Sequence, residues 1–124
     1  MTGKTILYVE DNEMNRKIVR TLLKSTAYRL VEAFDGEAGV AMALEVKPDL
    51  ILMDVQLPKM SGIDATKKIR AEAATAATPI LVITSFALSG DEQKAIEAGA
   101  TGYLAKPYSP MDLLGRIRKL LPEA

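Results

Sequence analysis

The chain has 124 residues, of which 48% are hydrophobic and 26% charged, and its 16 basic and 16 acidic residues cancel. These proportions are typical of one soluble globular domain spanning residues 1–124, and they give no global field that favours nucleic acid or an anionic membrane. The chain contains neither Cys nor His, which excludes disulfides, thiol catalysis and the commonest transition-metal ligands and leaves only oxygen atoms to bind a metal.

Five short apolar segments alternate with five longer segments that have helical spacing. In chain order this pattern predicts strand Thr5–Val9, helix Asn15–Leu23, strand Arg29–Ala33, helix Gly36–Val46, strand Leu50–Met53, helix Ile63–Ala73, strand Ile80–Ile83, helix Asp91–Ala98, strand Gly102–Ala105 and helix Met111–Leu121. Such alternation predicts βαβ units and a parallel sheet with helices on both faces. Ser89 with Glu92 is predicted to form a capping box for the fourth helix, and Ser109 with Pro110 to start the fifth.

Acidic residues stand at the carboxyl ends of two predicted strands. Glu10 and Asp11 follow the first strand, and Asp54 follows the third. Open parallel sheets carry their functional sites at this edge, so the three carboxylates converge if the two strands are neighbours. Two like charges ~4 Å apart cost ~4 kcal/mol at an effective dielectric near 20, and a divalent cation such as Mg²⁺ removes that conflict. The alternative is that Glu10 or Asp11 only caps the next helix.

A hydroxyl and an ammonium group are predicted at the same edge. Thr84 follows the fourth strand and Lys106 follows the fifth. Metal and ammonium neutralise phosphoryl oxygens, a hydroxyl donates a hydrogen bond, and one carboxylate can act as the nucleophile. The pattern therefore predicts a receptor for a phosphoryl group. Taken singly, Thr84 is equally typical of a β-branched strand end, and Lys106 is more typical of a solvated surface lysine.

The ordered motifs resemble the receiver domain of bacterial two-component response regulators. They are E-D after the first strand, M-D-x-x-L-P-x-M-S-G around Asp54, I-T-S after the fourth strand and K-P after the fifth. The resemblance covers essentially the whole chain, and E-D-N-E-M-N with F-A-L-S-G-D-E is most similar to DivK-like stand-alone regulators. It implies a CheY-like, single-domain (βα)5 fold, an α/β doubly wound parallel sheet in the flavodoxin-like order 2-1-3-4-5, with no effector domain.

The resemblance also implies roles for individual residues. Asp54 is implied as the phosphoacceptor, and Lys106 as the cation that pairs with the phosphate. The implied ligands of Mg²⁺, for which Mn²⁺ can substitute, are Glu10, Asp11, Asp54 and the backbone carbonyl of Gln56. Thr84 and Tyr103 are the implied switch pair, and the Lys106–Pro107 bond is expected to be cis. Glu10 replaces the Asp of many members, which implies contact with Mg²⁺ through water, and Gln56 and Phe86 stand where members tune phosphate lifetime.

The implied partners are a histidine kinase or a histidine phosphotransferase, which supplies the phosphoryl group, and a downstream protein that is contacted directly. We expect no direct nucleic-acid contact, no membrane insertion and a cytoplasmic location, because the sequence has no signal-peptide pattern and no apolar run long enough to span a bilayer. Val19, Leu22 and Leu23 are predicted to face the core. The predicted docking residues are Met14, Asn15, Ile18, Phe86, Leu88 and Pro107.

Other functions fit the sequence less well. A Mg²⁺-dependent phosphohydrolase also places a nucleophilic Asp at a strand end, but such enzymes usually have a second acid two residues later, where this chain has Gln56. Gly3-Lys4-Thr5 resembles the end of a Walker A motif, yet it precedes a strand and lacks the upstream glycine. A flavin carrier would need a phosphate-binding loop where Glu10 and Asp11 stand. A receiver used only for binding would not need every site residue to be present.

Overall fold

The computed structural model describes residues 4–84, 91–106 and 108–122, with only the backbone of Asp91. The elements in chain order are β1 Thr5–Val9, α1 Glu13–Leu23, β2 Arg29–Ala33, α2 Gly36–Val46, β3 Leu50–Asp54, α3 Gly62–Ala71, β4 Ile80–Thr84, α4 Asp91–Ala98, β5 Gly102–Ala105 and α5 Pro110–Leu120. A 3-10 helix, Ala73–Thr75, lies between α3 and β4. All ten predicted elements are present. Strand β3 extends to Asp54 and strand β4 to Thr84, each one residue further than predicted, because both residues still pair with the neighbouring strand.

The five strands form one parallel sheet in the order β2-β1-β3-β4-β5, as predicted. The register pairs Val9 of β1 with Met53 of β3, so the residues that follow them reach the same edge. Every residue of β3 and β4 is buried, whereas β2 and β5 have mainly half-buried residues because each has only one neighbouring strand. The continuous Val, Ile and Leu runs are therefore the interior strands.

Each face of the sheet has its own apolar core. The core on the α1 and α5 side includes Ile6, Tyr8, Val19, Leu23, Leu50, Leu52, Leu81, Ile83, Leu113, Leu114 and Ile117. The core on the α2, α3 and α4 side includes Leu7, Val9, Ala43, Ile51, Met53, Ala65, Ile69, Val82 and Ala95. Side chains alternate between these two faces along each strand. Val19 and Leu23 lie in the first core and Leu22 packs against it, as predicted.

Helix ends explain where the segments stop. Asn12 is the N-cap of α1, and its side chain accepts a hydrogen bond from the backbone N–H of Asn15. The N-cap is thus neither Glu10 nor Asp11, which removes the capping alternative for the two acids. Ser109 caps α5, with Pro110 as the first residue of that helix, as predicted. The predicted capping box of Ser89 lies outside the described residues.

Helix α3 begins one residue earlier and ends two residues earlier than predicted. It ends at Ala71, and Glu72 adopts an extended backbone with φ of −95° and ψ of 131°. The hydroxyl of the buried Thr75 donates to the carbonyl of Ile69 at 2.6 Å, which turns the chain back toward β4. A local side-chain-to-backbone hydrogen bond across this turn therefore overrides the high helix propensity of the Ala-rich stretch.

Candidate functional site

Three carboxylates converge at the carboxyl edge of the sheet. One oxygen from each of Glu10, Asp11 and Asp54 lies within 4.8 Å of the other two. Glu10 and Asp54 are 1% and 4% exposed, whereas Asp11 faces solvent. Acidic residues are almost never fully buried without a partner, because a buried carboxylate loses its hydration. Two buried acids side by side therefore mark an energetically costly arrangement.

Lys106 brings a positive charge into this cluster. Its Nζ lies 3.3 Å from Oε1 of Glu10 and 3.6 Å from Oδ1 of Asp54. The lysine directly follows β5, and its backbone N–H donates to the carbonyl of Thr84 at 2.7 Å. This hydrogen bond continues the pairing of β4 with β5 and thereby fixes the backbone position from which the lysine side chain extends. Lys106 is therefore part of the site and not a solvated surface lysine.

The Glu10 carboxylate is held by several donors. Oε1 accepts from the Tyr8 hydroxyl at 3.2 Å and the Asn15 side-chain amide at 3.4 Å, in addition to Lys106. Oε2 accepts from the backbone N–H of Asn12 at 3.2 Å. A carboxylate that accepts this many bonds is fixed in orientation and stabilised as an anion.

The pKa values of the two buried carboxylates shift in opposite directions. Burial and the neighbouring Glu10 raise the pKa of Asp54 to about 7, even though Lys106 acts in the opposite direction. Burial also pushes the pKa of Glu10 upward, but Lys106 and hydrogen bonds from Asp54 and Asn12 outweigh it and lower that pKa. Burial lowers the pKa of Lys106, but the two carboxylates outweigh it and raise that pKa. One negative charge is thus compensated by Lys106, and the second is not.

This donor set fits a hard divalent cation. The ligand atoms are oxygens only, as Mg²⁺ and Mn²⁺ prefer. Burial first, and the neighbouring Glu10 second, raise the pKa of Asp54, and Lys106 offsets them only in part, so a further positive charge would favour the ionised carboxylate. A cation beside the solvent-facing Asp11 would supply the missing charge.

Comparison with known proteins identifies the family. Residues 6–118 match the response regulator receiver domain family. The chain belongs to this family. Receiver domains of two-component systems interact with histidine kinases and with downstream targets, and they typically act as phosphoacceptor switches.

Curated relatives of this receiver include polar-differentiation response regulators named DivK. The DivK proteins of Brucella anthropi and Brucella ovis are each 36% identical to it over 121 residues, which is 98% of this chain and 98% of each relative. These likenesses confirm the resemblance to DivK-like regulators that the motifs indicate.

Solved structures confirm the fold. The receiver domain of the sensor histidine kinase PA1611 from Pseudomonas aeruginosa is 37% identical, with a TM-score of 0.89 and coverage of 96% of this chain and 98% of that one; its active site cleft coordinates a magnesium ion. The chemotaxis response regulator CheY4 of Vibrio cholerae is 32% identical, with a TM-score of 0.90 and coverage of 97% and 100%. The response regulator Rcp1, in an Mn²⁺-bound form, is 28% identical, with a TM-score of 0.79 and coverage of 94% and 91%.

The predicted switch residues of this receiver share one face of the sheet. Thr84 pairs with Ala105, and Val82 pairs with Tyr103, so Thr84 and Tyr103 are diagonal neighbours on adjacent strands. Thr84 is fully buried, and Tyr103 is half-buried against the core beside α3 and α4. The carbonyl of Tyr103 accepts a hydrogen bond from Arg116 of α5, so that helix is attached to the strand at this residue.

The loop after β3 starts at the cluster. Gln56 is exposed two residues beyond Asp54, where its backbone carbonyl is the predicted fourth ligand. The loop closes at Gly62, whose backbone N–H donates to the carbonyl of Val55 at 2.9 Å. A Cβ at Gly62 would lie 1.9 Å from the carbonyl oxygen of Asp54, so only glycine allows α3 to begin this close to the strand.

An apolar groove runs along α1, the helix that follows Glu10 and Asp11 in the chain. It has a volume of about 400 Å³ and is lined by Met14, Lys17, Ile18, Thr21, Leu22 and Pro110. Met14 is 65% exposed and Ile18 44% exposed, so both side chains are accessible to a partner, and their docking role stays a prediction. Asn15, from the same predicted set, is half-buried with its amide on Glu10. Phe86, Leu88 and Pro107, together with the predicted cis bond, lie outside the described residues.

Sequence reasoning missed two contributors to the site. In sequence Tyr8 looks like an ordinary aromatic strand residue, but its hydroxyl donates to the Glu10 carboxylate. The two-residue period of a strand, which places residues two apart on the same face, is the sequence signal that could have indicated this contact. Arg16 donates from Nη1 to the carbonyl of Glu10 at 3.0 Å. Nothing in the helical spacing of α1 distinguishes Arg16 from its neighbours Lys17 and Arg20.

Among the described helices none is long and apolar enough to cross a membrane.

Proposed function

We propose that Asp54 accepts a phosphoryl group from a phosphohistidine of a histidine kinase or histidine phosphotransferase, and that the product controls contact with a downstream protein. The observation that carries the proposal is the buried Asp54 carboxylate, with Glu10 beside it and the Lys106 ammonium 3.6 Å from Oδ1. A buried acid with a strongly perturbed pKa at a sheet edge is a candidate for chemistry, because a purely structural role does not require it.

In this reaction an oxygen of the Asp54 carboxylate attacks phosphorus. The new P–O bond forms as the P–N bond to the imidazole breaks, and the imidazole leaves with the electron pair and takes up a proton from water. The Lys106 ammonium, which lies 3.3 Å from Oε1 of Glu10, would neutralise the phosphoryl oxygens. Mg²⁺ held by Glu10, Asp11, Asp54 and the Gln56 carbonyl would neutralise further phosphoryl charge. The buried Glu10 keeps its carboxylate fixed by the donors around it.

The phosphodonor is proposed to dock on the groove beside α1. Met14 and Ile18 expose apolar surface on α1, the helix that directly follows Glu10 and Asp11 in the chain, and Lys17 lies between them in sequence. Burying this apolar surface against a partner would place the partner's phosphohistidine near Asp54. The proposed compartment is the cytoplasm, and no direct contact with nucleic acid is part of the proposal.

The proposed signal is relayed by Thr84 and Tyr103. A phosphoryl group on Asp54 would attract the Thr84 hydroxyl, and the Tyr103 ring would fill the space that this movement leaves. Phosphate can shift the equilibrium only if it interacts differently with the two states, so Thr84 must contact it more in one of them. Thr84→Ala should leave phosphorylation of Asp54 largely intact and weaken phosphate-dependent binding of the downstream partner. Equal loss of both would place Thr84 in the chemistry and remove the relay.

Incubation with acetyl phosphate and Mg²⁺, followed by mass spectrometry of peptides, tests the chemistry. We expect one phosphoryl group per chain, located on Asp54, and none in Asp54→Asn, which keeps the shape of the residue but lacks the nucleophile. Labelling of Asp54→Asn at the wild-type rate would show that another residue is the acceptor. Repeated turnover of varied phosphate esters would favour a Mg²⁺-dependent phosphohydrolase, although Gln56 stands where such an enzyme would need an acid.

A further inference from the structure

Arg16 is a buried cation outside the acid cluster. The residue is 8% exposed, and its guanidinium carbon lies 4.1 Å from the centre of the Phe34 ring. Its Nη2 donates to Glu13 at 2.7 Å, and its Nε lies 3.3 Å from Glu32. Its Nη1 donates to the backbone carbonyl of Glu10 at 3.0 Å. The side chain thus connects α1, the end of β2 and the loop that follows β1.

The bond to Glu10 falls on the peptide group that leads into Asp11. The N–H of Glu10 donates to the carbonyl of Ala33 at 3.0 Å, and Arg16 binds its carbonyl. Both polar groups of the Glu10 backbone are therefore held from outside the loop. Because the carbonyl group of Glu10 forms the bond to Asp11, its orientation determines the direction in which the exposed Asp11 leaves the strand.

Arg20 shows that tying α1 to β2 does not require a buried arginine. Arg20 lies 2.9 Å from Glu32 and 3.7 Å from Glu13, the same two partners, yet its side chain is 46% exposed. What Arg16 adds is the contact with the Phe34 ring and the hydrogen bond to the Glu10 carbonyl, and only the hydrogen bond reaches the backbone that leads to Asp11. Burying a guanidinium is costly, and the buried Nε of Arg16 has no hydrogen-bond partner among the described residues. The bond from Nη1 to the Glu10 carbonyl offsets part of this cost and is what the buried position under the loop makes possible.

We infer that Arg16 is a positioning residue for the metal site: it fixes the backbone of Glu10 so that the Glu10 and Asp11 carboxylates face Asp54. The inference rests on the proposed function, since it concerns the same site. It assigns Arg16 no contact with the metal or with a phosphoryl group. Removing its guanidinium should loosen the direction of Asp11 and weaken cation binding, whereas removing the guanidinium of Arg20 should not.

The test is a Mg²⁺ titration followed by NMR of backbone amides, which reports both the folded state and the dissociation constant. Arg16→Met keeps the apolar stem but no donor, and Arg20→Met is the matched control. Groups that orient metal ligands typically change metal affinity by 10–100-fold, so we expect about a tenfold loss for Arg16→Met and less than a twofold change for Arg20→Met. Arg16→Lys keeps the charge but not the fork of donors, and we expect it to lose about threefold.

The outcomes separate this inference from the proposed function. A folded Arg16→Met protein that binds Mg²⁺ within twofold of wild type would overturn the role of Arg16 and leave the metal site intact. If Arg16→Met does not fold, the same comparison between Arg16→Lys and Arg20→Met decides. Equal losses in the Arg16 and Arg20 variants would show a general loosening of α1 and also overturn the inference. A wild-type protein that shows no response to Mg²⁺ would overturn both proposals.

Discussion

Two aspartates mark the two ends of β3, and their surroundings are opposite. Asp49 precedes the strand and is exposed; its carboxylate accepts the backbone N–H of Thr5 at 2.8 Å, and its own N–H donates to the Thr5 carbonyl at 2.8 Å. Asp54 ends the strand and is buried beside Glu10 and Lys106. Asp49 extends the pairing of β1 with β3 while its carboxylate stays in water. Asp54, in contrast, is removed from water and placed beside a second carboxylate, that of Glu10.

The difference between Asp49 and Asp54 shows that the carboxyl edge of the sheet, and not the amino edge, contains a destabilising acid. At the amino edge an acid stays in water and satisfies a strand-end donor, which is a purely structural arrangement. At the carboxyl edge burial and Glu10 disfavour the charged form of Asp54, and the fold retains the acid nonetheless. Real proteins break their own packing rules mainly at functional sites. Matched substitutions at the two ends of the strand test this comparison.

The largest expected effect is a pH-dependent gain in stability for Asp54→Asn without metal. The pKa of Asp54 is about 7 in the folded protein and near 3.9 when unfolded, so between these values the folded state binds the extra proton. Stability therefore falls as pH rises from about 4 to about 7, and the loss is complete above pH 7. Asp54→Asn should remove this loss and be about 2 kcal/mol more stable than wild type at pH 8, a value reduced from the full shift because water reaches the cluster from the side of the exposed Asp11.

Urea unfolding at pH 5 and pH 8 with EDTA measures this effect. Asp49→Asn is the control and should keep the wild-type difference between the two pH values. Mg²⁺ should reverse the effect in wild type, because it favours the ionised carboxylate, and should do little in Asp54→Asn. The lowered pKa of Glu10 acts in the opposite direction, but only below pH 5, so it does not obscure the comparison. Equal pH dependence in wild type and Asp54→Asn would contradict the account of Asp54.

The second expected effect is a loss of cation binding in Asp11→Asn. Asp11 supplies one of the three carboxylates that converge within 4.8 Å, and it faces the solvent from which the ion arrives. Replacing it should weaken Mg²⁺ about tenfold, equivalent to about 1.4 kcal/mol, while Asp49→Asn should bind like wild type. Calorimetric titration with Mg²⁺ measures both. Unchanged affinity in Asp11→Asn would exclude it from the metal site.

The smallest expected effect compares two buried tyrosines at the two ends of the sheet. Tyr8 donates to the Glu10 carboxylate, whereas Tyr28, which precedes β2, donates to the backbone carbonyl of Leu121. Burial, Tyr108 and Glu10 raise the pKa of Tyr8, so its hydroxyl remains a donor. Hydrogen bonds to charged groups are the stronger ones, so Tyr8→Phe should cost about 1 kcal/mol more than Tyr28→Phe. Urea unfolding at pH 8 measures the difference, and an equal or larger cost for Tyr28→Phe would contradict it.

Much of the fold follows from local sequence. The apolar runs of β1, β3 and β4 and the turn residues between elements place all ten elements, because burial on two faces demands continuous apolar strands. The end of α3 was misplaced because Thr75 bonds to Ile69 across a turn, and helix propensity contains no information about that contact. Strand order came from the family resemblance, since short parallel strands look alike in sequence.

The site was predictable as far as it follows strand ends. Glu10, Asp11, Asp54, Thr84 and Lys106 each stand at the end of a strand, and parallel strands bring such residues to one edge. The support beneath the site was not predictable in this way. Tyr8 and Arg16 act through a hydroxyl and a guanidinium directed at Glu10, and only three-dimensional packing shows which aromatic or basic residue does so.

The contact between Gly62 and the Asp54 peptide also limits how receivers of this kind can be recombined. The first residue of α3 lies directly on the last residue of β3, and one hydrogen bond from Gly62 to Val55 closes the connecting loop. The strand end, the loop and the first helical turn therefore form one exchangeable block. A chimera with its crossover between Asp54 and Gly62 would join a helix and a strand that were not shaped for each other, whereas a crossover beyond Ala71 would move the block intact.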